Sequence, residues 1–287
     1  MLYVSSTFAK DKTPFKEVLE ICRLNGIYNI EIGSNHSYEK SYDYIKHNSE
    51  INFLVHNYFP IPKDDFVINI ASSNNEIRLK SIDSIFKSIN FCKEIGSKLY
   101  TFHPGFHTDP KGASLFKSNY DFNWDDKNLH NNDIEKNFEQ MLDSFEKIIS
   151  FAYKKKIKIA FETEGSVSKK NHLLMQQPHE YKKFFSRFSH DEIGINLNIG
   201  HLVLASNAFK FDMNDFVDLI SEYIVAFELS HNNGVEDQHL PIISNAWYWD
   251  LILDKRFKNK IKILEFRNQS INKVKNTIQL FKRKSNA

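Results

Sequence analysis

Histidines, carboxylates and one asparagine recur in this chain near the ends of short hydrophobic runs. His56 closes Val55-His56-Asn57-Tyr58, and His103 closes Thr101-Phe102-His103-Pro104-Gly105. Glu162 lies in Phe161-Glu162-Thr163-Glu164-Gly165, and Asn198 and His201 in Asn198-Ile199-Gly200-His201. His231 follows Glu228-Leu229-Ser230, Asp237 and His239 come in the next loop, and Glu265 lies in Ile263-Leu264-Glu265-Phe266-Arg267. A carboxylate inside a hydrophobic run is costly unless it is paired or bound to a cation. Imidazole and carboxylate together suit Zn, Mn, Co or Fe better than Mg alone. The residue types therefore point to divalent-metal chemistry.

Taken singly, each has a plainer reading, since a lone His at a strand end is commonly a hydrogen-bonded structural residue. Repetition at the same end of successive runs carries the metal reading. Glu164 shares the parity of Glu162 and is either a substitute for it or a loop charge. Arg267 shares the parity of Glu265 and is either a site residue or half of an ion pair. Glu31 reads as a solvated strand end, and His36, His107, His130, His172 and His179 read as loop or helix-surface residues.

The elements that must position these groups are legible as eight strand-like runs. They read Leu2–Ser6, Tyr28–Gly33, Asn52–Tyr58, Lys98–His103, Lys158–Glu164, Gly194–Asn198, Val225–His231 and Lys262–Arg267. They are rich in Ile, Val, Phe and Tyr, and most are bounded by polar, Gly or Pro residues. Helical spacing appears between them: Phe15, Val18, Leu19, Cys22; then Ile82, Ile85, Phe86, Ile89, Cys92 with Gly96 as C-cap; then Phe138, Met141, Leu142, Phe145, Ile148, Ile149. Asp212 reads as an N-cap, with Asp215 in the place of a capping-box acid. Strand alternating with helix implies a parallel sheet. With eight repeats, the expected fold is α/β, a single (β/α)8 TIM barrel spanning residues 1–287. An open doubly wound sheet would favour a Gly-rich turn after the first strand, and none is present. In a barrel, inward side chains alternate and the carboxyl ends of the strands ring one mouth, so groups distant in sequence converge there. A long aromatic-rich loop at about 104–132 holds Phe106, Phe116, Tyr120, Phe122 and Trp124. It reads as either a lid or a surface excursion packing its own rings.

Composition narrows the class. The chain has 287 residues, with 38 Lys plus Arg against 36 Asp plus Glu, a formal charge of +2. That balance gives no global electrostatic case for nucleic acid. The two cysteines, Cys22 and Cys92, make no metal or disulfide spacing and suit a reducing cytoplasm. No secretory signal and no membrane-spanning apolar stretch are read, so a cytoplasmic protein is expected. Homo-oligomerisation is left open.

Over nearly its whole length the pattern resembles the xylose isomerase-like barrels, which include sugar-phosphate isomerases and epimerases and the endonuclease IV-type enzymes. The most specific piece is His231-Asn232-Asn233-Gly234-Val235-Glu236-Asp237-Gln238-His239-Leu240-Pro241-Ile242, similar to the family's seventh-strand His, turn and Asp-x-His pair. Asn198-x-x-His201 resembles the family's Asp-x-x-His, and Glu162 and Glu265 resemble its metal-bridging and eighth-strand glutamates. His56 and His103 match the histidines of the multinuclear members. Two departures stand out. Asn198 replaces the usual Asp and brings no charge, and Asp237 stands where the ketose 3-epimerases carry a substrate-binding Arg.

The resemblance implies a metal-dependent isomerase or epimerase of a small sugar or sugar phosphate. Glu162, Asn198, His231 and Glu265 would hold a divalent metal, Zn, Mn or Co. Glu162 and Glu265 would act as base and acid through an enediolate, with His56, His103, His201 and Arg267 binding substrate. The alternative is a multinuclear phosphodiesterase of the endonuclease IV type, with His56, His103, His201, Asp237 and His239 as additional ligands. A third reading is a non-catalytic sugar-binding barrel, motivated by Asn198.

Overall fold

A computed structural model of the chain describes residues 1–64, 66–110, 134–165 and 172–286. Its strands are β1 (Leu2–Ser5), β2 (Asn29–Ile32), β3 (Asn52–His56), β4 (Leu99–Phe102), β5 (Lys158–Glu162), β6 (Gly194–Asn198), β7 (Ile224–Leu229) and β8 (Ile261–Leu264). All neighbouring pairs are parallel, and β8 pairs with β1, closing the barrel in sequence order. Most of the expected strands end one to three residues too late. His103, Glu164 and His231 continue the inward-outward pattern past the last ladder pairing, and pattern alone does not mark where hydrogen bonding stops.

Among the described residues the helices are α1 (Phe15–Leu24), α2 (Asp43–Lys46), α3 (Asn75–Ile95), α4 (Ile134–Lys155), α5 (Pro178–Phe185), α6 (Ile199–Phe209), α7 (Met213–Ile220), α8 (Tyr248–Ile252) and α9 (Ile271–Ser285). Helix α1 buries Phe15, Val18, Leu19 and Cys22, the stripe its spacing predicts. In α3, the Asn74 side chain accepts from Glu76 N and Ile77 N, and Gly96 ends the helix at φ 73°. Asp212 caps α7 through Asn214 N and Asp215 N. The return bond expected of Asp215 is absent among the described residues, so the cap is one-sided. Cys22 and Cys92 are buried in helices, and burial pushes both thiols up to about 12.

The core between barrel and helices mixes aliphatic side chains with many aromatic rings. Phe145 of α4 packs on Phe102, Phe161 and Phe184. Burying a side chain of this size contributes about 1.5–3 kcal/mol. Inside the barrel a separate apolar cluster joins Tyr3, Leu54, Leu99, Ala160, Ala226 and Ile263. No helix among the described residues is long and apolar enough to cross a membrane. Of the expected aromatic loop, Phe106 is buried, while Phe116, Tyr120, Phe122 and Trp124 lie outside the described residues, as does His130.

Candidate functional site

Two residues beyond each member of that apolar cluster, on the same inward face, stand Ser5, His56, Thr101, Glu162, Glu228 and Glu265. The period-2 geometry of a strand places each in the next layer toward the carboxyl ends. All six are buried, and Glu31 joins them from β2. The expectation that Glu31 is solvated is overturned: it is 1% exposed, because it points into the barrel. Above this layer lies a cavity of about 290 Å³ whose lining includes His56, His103, Glu162, His201, His239 and Glu265. Arg267 and Lys12 reach the same cavity. An adjoining cavity of about 590 Å³ shares Lys12, Ser34, Tyr58 and Val67 with it.

Three groups of metal-type ligands are found among the described residues. In two, on either side of Asn198, His56, His103 and Glu162, and His201, Asp237 and His239, offer atoms all within 4.8 Å of one another; Glu31, His56 and Glu228 form the third. The histidine orientations fit a cation. His56 Nδ1 is hydrogen-bonded to Thr101 Oγ1 at 2.9 Å, His103 Nδ1 donates to Glu164 Oε1 at 2.9 Å, and His201 Nδ1 donates to Thr163 O at 2.8 Å. The Nε2 atoms of His56 and His103 then face Glu162 Oε2 beyond ordinary hydrogen-bond range, at 3.6 and 3.7 Å, and that of His201 faces Asp237 Oδ2 at 3.4 Å. A metal-ligating His commonly fixes one nitrogen on a protein acceptor in this way and turns the other to the metal. His239 adds a second sign. Its nitrogens lie 2.8 Å from Asp237 Oδ2 and 3.2 Å from Glu265 Oε2, yet neither meets hydrogen-bond geometry among the described residues. Buried donors and acceptors that converge without bonding suit an ion between them.

Backbone packing brings the second group together. Helix α6 starts directly at the end of β6, so Asn198 is both the last strand residue and the N-cap. Gly165 lets the chain after β5 lie against His201: a Cβ there would come within 2.6 Å of His201 Cα and O.

Between the two groups sits Asn198. Its Oδ1 accepts from Gly200 N at 2.9 Å and His201 N at 3.2 Å, satisfying the first turn of α6. Its Nδ2 faces Glu162 Oε1 at 2.8 Å, Glu228 Oε2 at 3.2 Å and Glu265 Oε2 at 3.4 Å. The residue expected to ligate a metal through oxygen therefore presents a donor to three carboxylates, because the helix cap takes the oxygen.

The charges separate accordingly. Burial favours the neutral form of Glu162, but His103, His201 and His56 overcome it and hold the carboxyl well below the usual range. Burial likewise opposes ionisation of Glu265, and His239 outweighs it, leaving the carboxyl lowered. Glu228 is raised well above the ordinary value by burial and then by Glu162 and Glu265. Glu31 is raised by burial and by Glu265. Burial would lower His103, yet Glu164 and Glu162 bring it up to about 9. Burial and Arg267 would lower His239, yet Asp237 and Glu265 bring it up to about 9. His201 is raised well above the ordinary value despite burial, chiefly by Asp237. His56 is lowered by burial to about 4. The carboxylates thus favour the protonated form of His103, His201 and His239 but not of His56, where burial prevails.

His56, His103, Glu162, Asn198, His201, Asp237, His239 and Glu265 thus converge, and Arg267 lines the mouth from an exposed position. His231 does not join them. It has the opposite parity to Glu228, pairs its backbone with Leu240, and packs its ring near Tyr248. The seventh strand instead contributes Glu228, which sequence reasoning passed over. Its signal was inward parity, two residues beyond Ala226. Glu164 proves to be the buried partner that orients His103. His36, His107 and His172, expected at the surface, are buried, whereas His179 is exposed as expected. His36 is held by Ser6 Oγ and Thr13 O, a pairing between segments that sequence distance conceals.

A family model described as xylose isomerase-like TIM barrel matches residues 34–283. Among solved structures, a D-tagatose 3-epimerase-like protein superposes with TM-score 0.72 at 19% identity, over 99% of this chain and 96% of that one. The TTHB071 protein from Thermus thermophilus, in a structure soaked with ZnCl2, gives 0.64 at 12% identity, over 98% and 97%. An L-ribulose 3-epimerase gives 0.66 at 9% identity, over 97% and 86%. At these identities the likeness is one of fold. A short segment is similar to a protein named probable endonuclease 4 from Aquifex aeolicus (strain VF5), 42% identical over 40 residues. It spans 14% of this chain and 14% of that relative, far less than two thirds of the relative's length.

Proposed function

The chain belongs to the xylose isomerase-like TIM barrel family, and from that premise we propose that it is a metal-dependent isomerase or epimerase of a small sugar or sugar phosphate. One observation carries this reading: Glu162 and Glu265, on strands from different sides of the barrel, reach the same buried amide and both line the cavity at the carboxyl end. Two carboxylates facing one small space are what proton removal and return beside a carbonyl require.

The cation would be held by His201, Asp237 and His239, with His56, His103 and Glu162 as the second group, rather than by Asn198 and His231. When bound, a divalent ion supplies Lewis-acid polarisation of a carbonyl oxygen. The remaining work falls to the chain. Glu162, held ionised, takes the proton from the carbon beside the carbonyl. Glu265, whose carboxyl is held low, first takes a proton from water and then returns it to the opposite face of the same carbon, giving the epimer through an enediolate; return of the Glu162 proton to the neighbouring carbon gives the isomer. Where that second group holds no ion, His56 and His103 bind hydroxyl oxygens at the third- and fourth-strand side of the cavity, and Arg267 and Lys12 at the mouth suit a phosphate. Such acid-base contributions are worth about 10² to 10⁴ in rate. The test is deuterium incorporation from heavy water into a panel of ketoses and their phosphates by Mn- or Zn-loaded protein. Incorporation that Glu162→Gln and Glu265→Gln abolish supports the reading; none across the panel, with metal bound, overturns it.

A second reading is phosphodiester hydrolysis. It is favoured by the two ligand groups on either side of Asn198, since paired metal sites clamp both oxygens of an in-line displacement. Cleavage of abasic DNA by metal-loaded protein, without proton exchange on any ketose, would put this reading in place of the first.

A further inference from the structure

The carboxylate layer is closed at its centre by an amide. Glu162, Glu228 and Glu265 turn one oxygen each toward a single point, and that point is occupied by Asn198 Nδ2. We propose that this nitrogen stands in for a cation. The chain takes divalent metal in the groups on either side of the centre but not at it, and Asn198→Asp opens an additional metal site there.

The geometry fixes which end of the amide faces inward. Oδ1 accepts two backbone N–H groups of α6. Turning the amide over would set its oxygen against three carboxylates and its N–H groups against two backbone donors, leaving buried groups unpaired on both sides. The absence of any loop between β6 and α6 leaves Asn198 no other place to go. An N–H aimed at the carboxylates satisfies them by hydrogen bonding and offers a metal no lone pair. Asn196 donates to Glu228 as well, so amides also hold the seventh-strand carboxyl.

The flanking groups do not share this obstruction. Their imidazole nitrogens face carboxylate oxygens directly, with no amide between. They mix nitrogen with oxygen donors, whereas the centre has carboxylates alone once the amide is removed. An aspartate keeps the helix cap, because a carboxylate oxygen accepts the same two N–H groups. Its second oxygen would complete an all-oxygen donor set with Glu162, Glu228 and Glu265. Such a set suits hard ions such as Mn²⁺ or Mg²⁺ over softer ones. The flanking imidazoles should retain Zn²⁺. The placement of Asn198 is the same whichever reaction the site runs.

The experiment counts bound ions in the full chain and in Asn198→Asp by equilibrium dialysis against MnCl2 with elemental analysis, and locates them by Mn anomalous scattering in crystals of each. The expected result is one more Mn per chain in the variant, between Glu162, Glu228 and Glu265. Wild-type Mn should appear only beside His56/His103 or His201/His239. Asn198→Ser, which keeps a capping oxygen but adds no charge, should leave the count at the wild-type value. An equal count in Asn198→Asp and wild type overturns the proposal. Should the variant fail to fold, the wild-type map still decides: Mn within ligand distance of Asn198 overturns it, and Mn confined to the flanks upholds it.

Discussion

The two inner layers of the barrel are built on the same strands, with the same parity, one pleat apart. The lower carries Tyr3, Leu54, Leu99, Ala160, Ala226 and Ile263; the upper carries Ser5, His56, Thr101, Glu162, Glu228 and Glu265. Both are buried, so burial does not distinguish them. What differs is how each meets the absence of water. The lower layer has nothing to solvate and seals the barrel. The upper layer must balance its charge with imidazole protons, amide donors or a cation. A strand thus passes from packing to chemistry within two residues, and changes in the two layers should separate cleanly.

The largest expected effect is in the upper layer. Glu162→Ala removes the carboxylate shared by His56, His103, His201 and Asn198. A rate loss of at least about 10² to 10⁴ should follow, measured as kcat/KM once substrate is in hand, with the fold retained by circular dichroism. Unfolding of this variant would erase the distinction between the layers. The complementary change is Leu99→Ala in the sealing layer. It should cost about 2–5 kcal/mol in denaturant unfolding while bound metal per chain stays the same.

A third prediction uses pH. Histidines raised to about 9, as His103 and His239 are, contribute stability that is fully present below their unfolded value of about 6.5 and is lost as pH rises through about 9. His56, lowered to about 4, works in the opposite sense: stability is lost as pH falls from about 6.5 toward 4. Metal-free protein should therefore be most stable near pH 6 to 7 and weaken toward about pH 10. Metal should remove much of the alkaline loss and release protons from these imidazoles on binding. A denaturation series at several pH values with and without Zn²⁺ checks both, and identical alkaline slopes would contradict the charge balance described. The smallest effect is expected for Glu31→Gln. Burial pushes the Glu31 carboxyl well above its ordinary value, so the isostere should change stability by less than about 1 kcal/mol.

The barrel was legible because hydrophobic runs and polar breaks report strands one by one, and eight of them with intervening helical stripes leave few ways to close. The site was legible in its histidines because they fall at strand ends, where a barrel converges. Glu31, read as solvated, was not, and neither were three further features. Glu228 hides between Phe227 and Leu229, and only parity, counted from Ala226, marks it as inward. His231 carries the suggestive residue type, but its parity turns it away. Asn198 announced a departure, yet which end of its amide faces the carboxylates is set by the helix it caps, a fact of three-dimensional hydrogen bonding.

The most direct measurement is metal content per chain, by elemental analysis of protein purified without chelator and without added metal. At least one Zn, Mn or Co per chain is predicted, lost in His239→Ala or Glu162→Ala. No metal, and none taken up on soaking, would contradict a metal-dependent active site in the upper layer of this barrel.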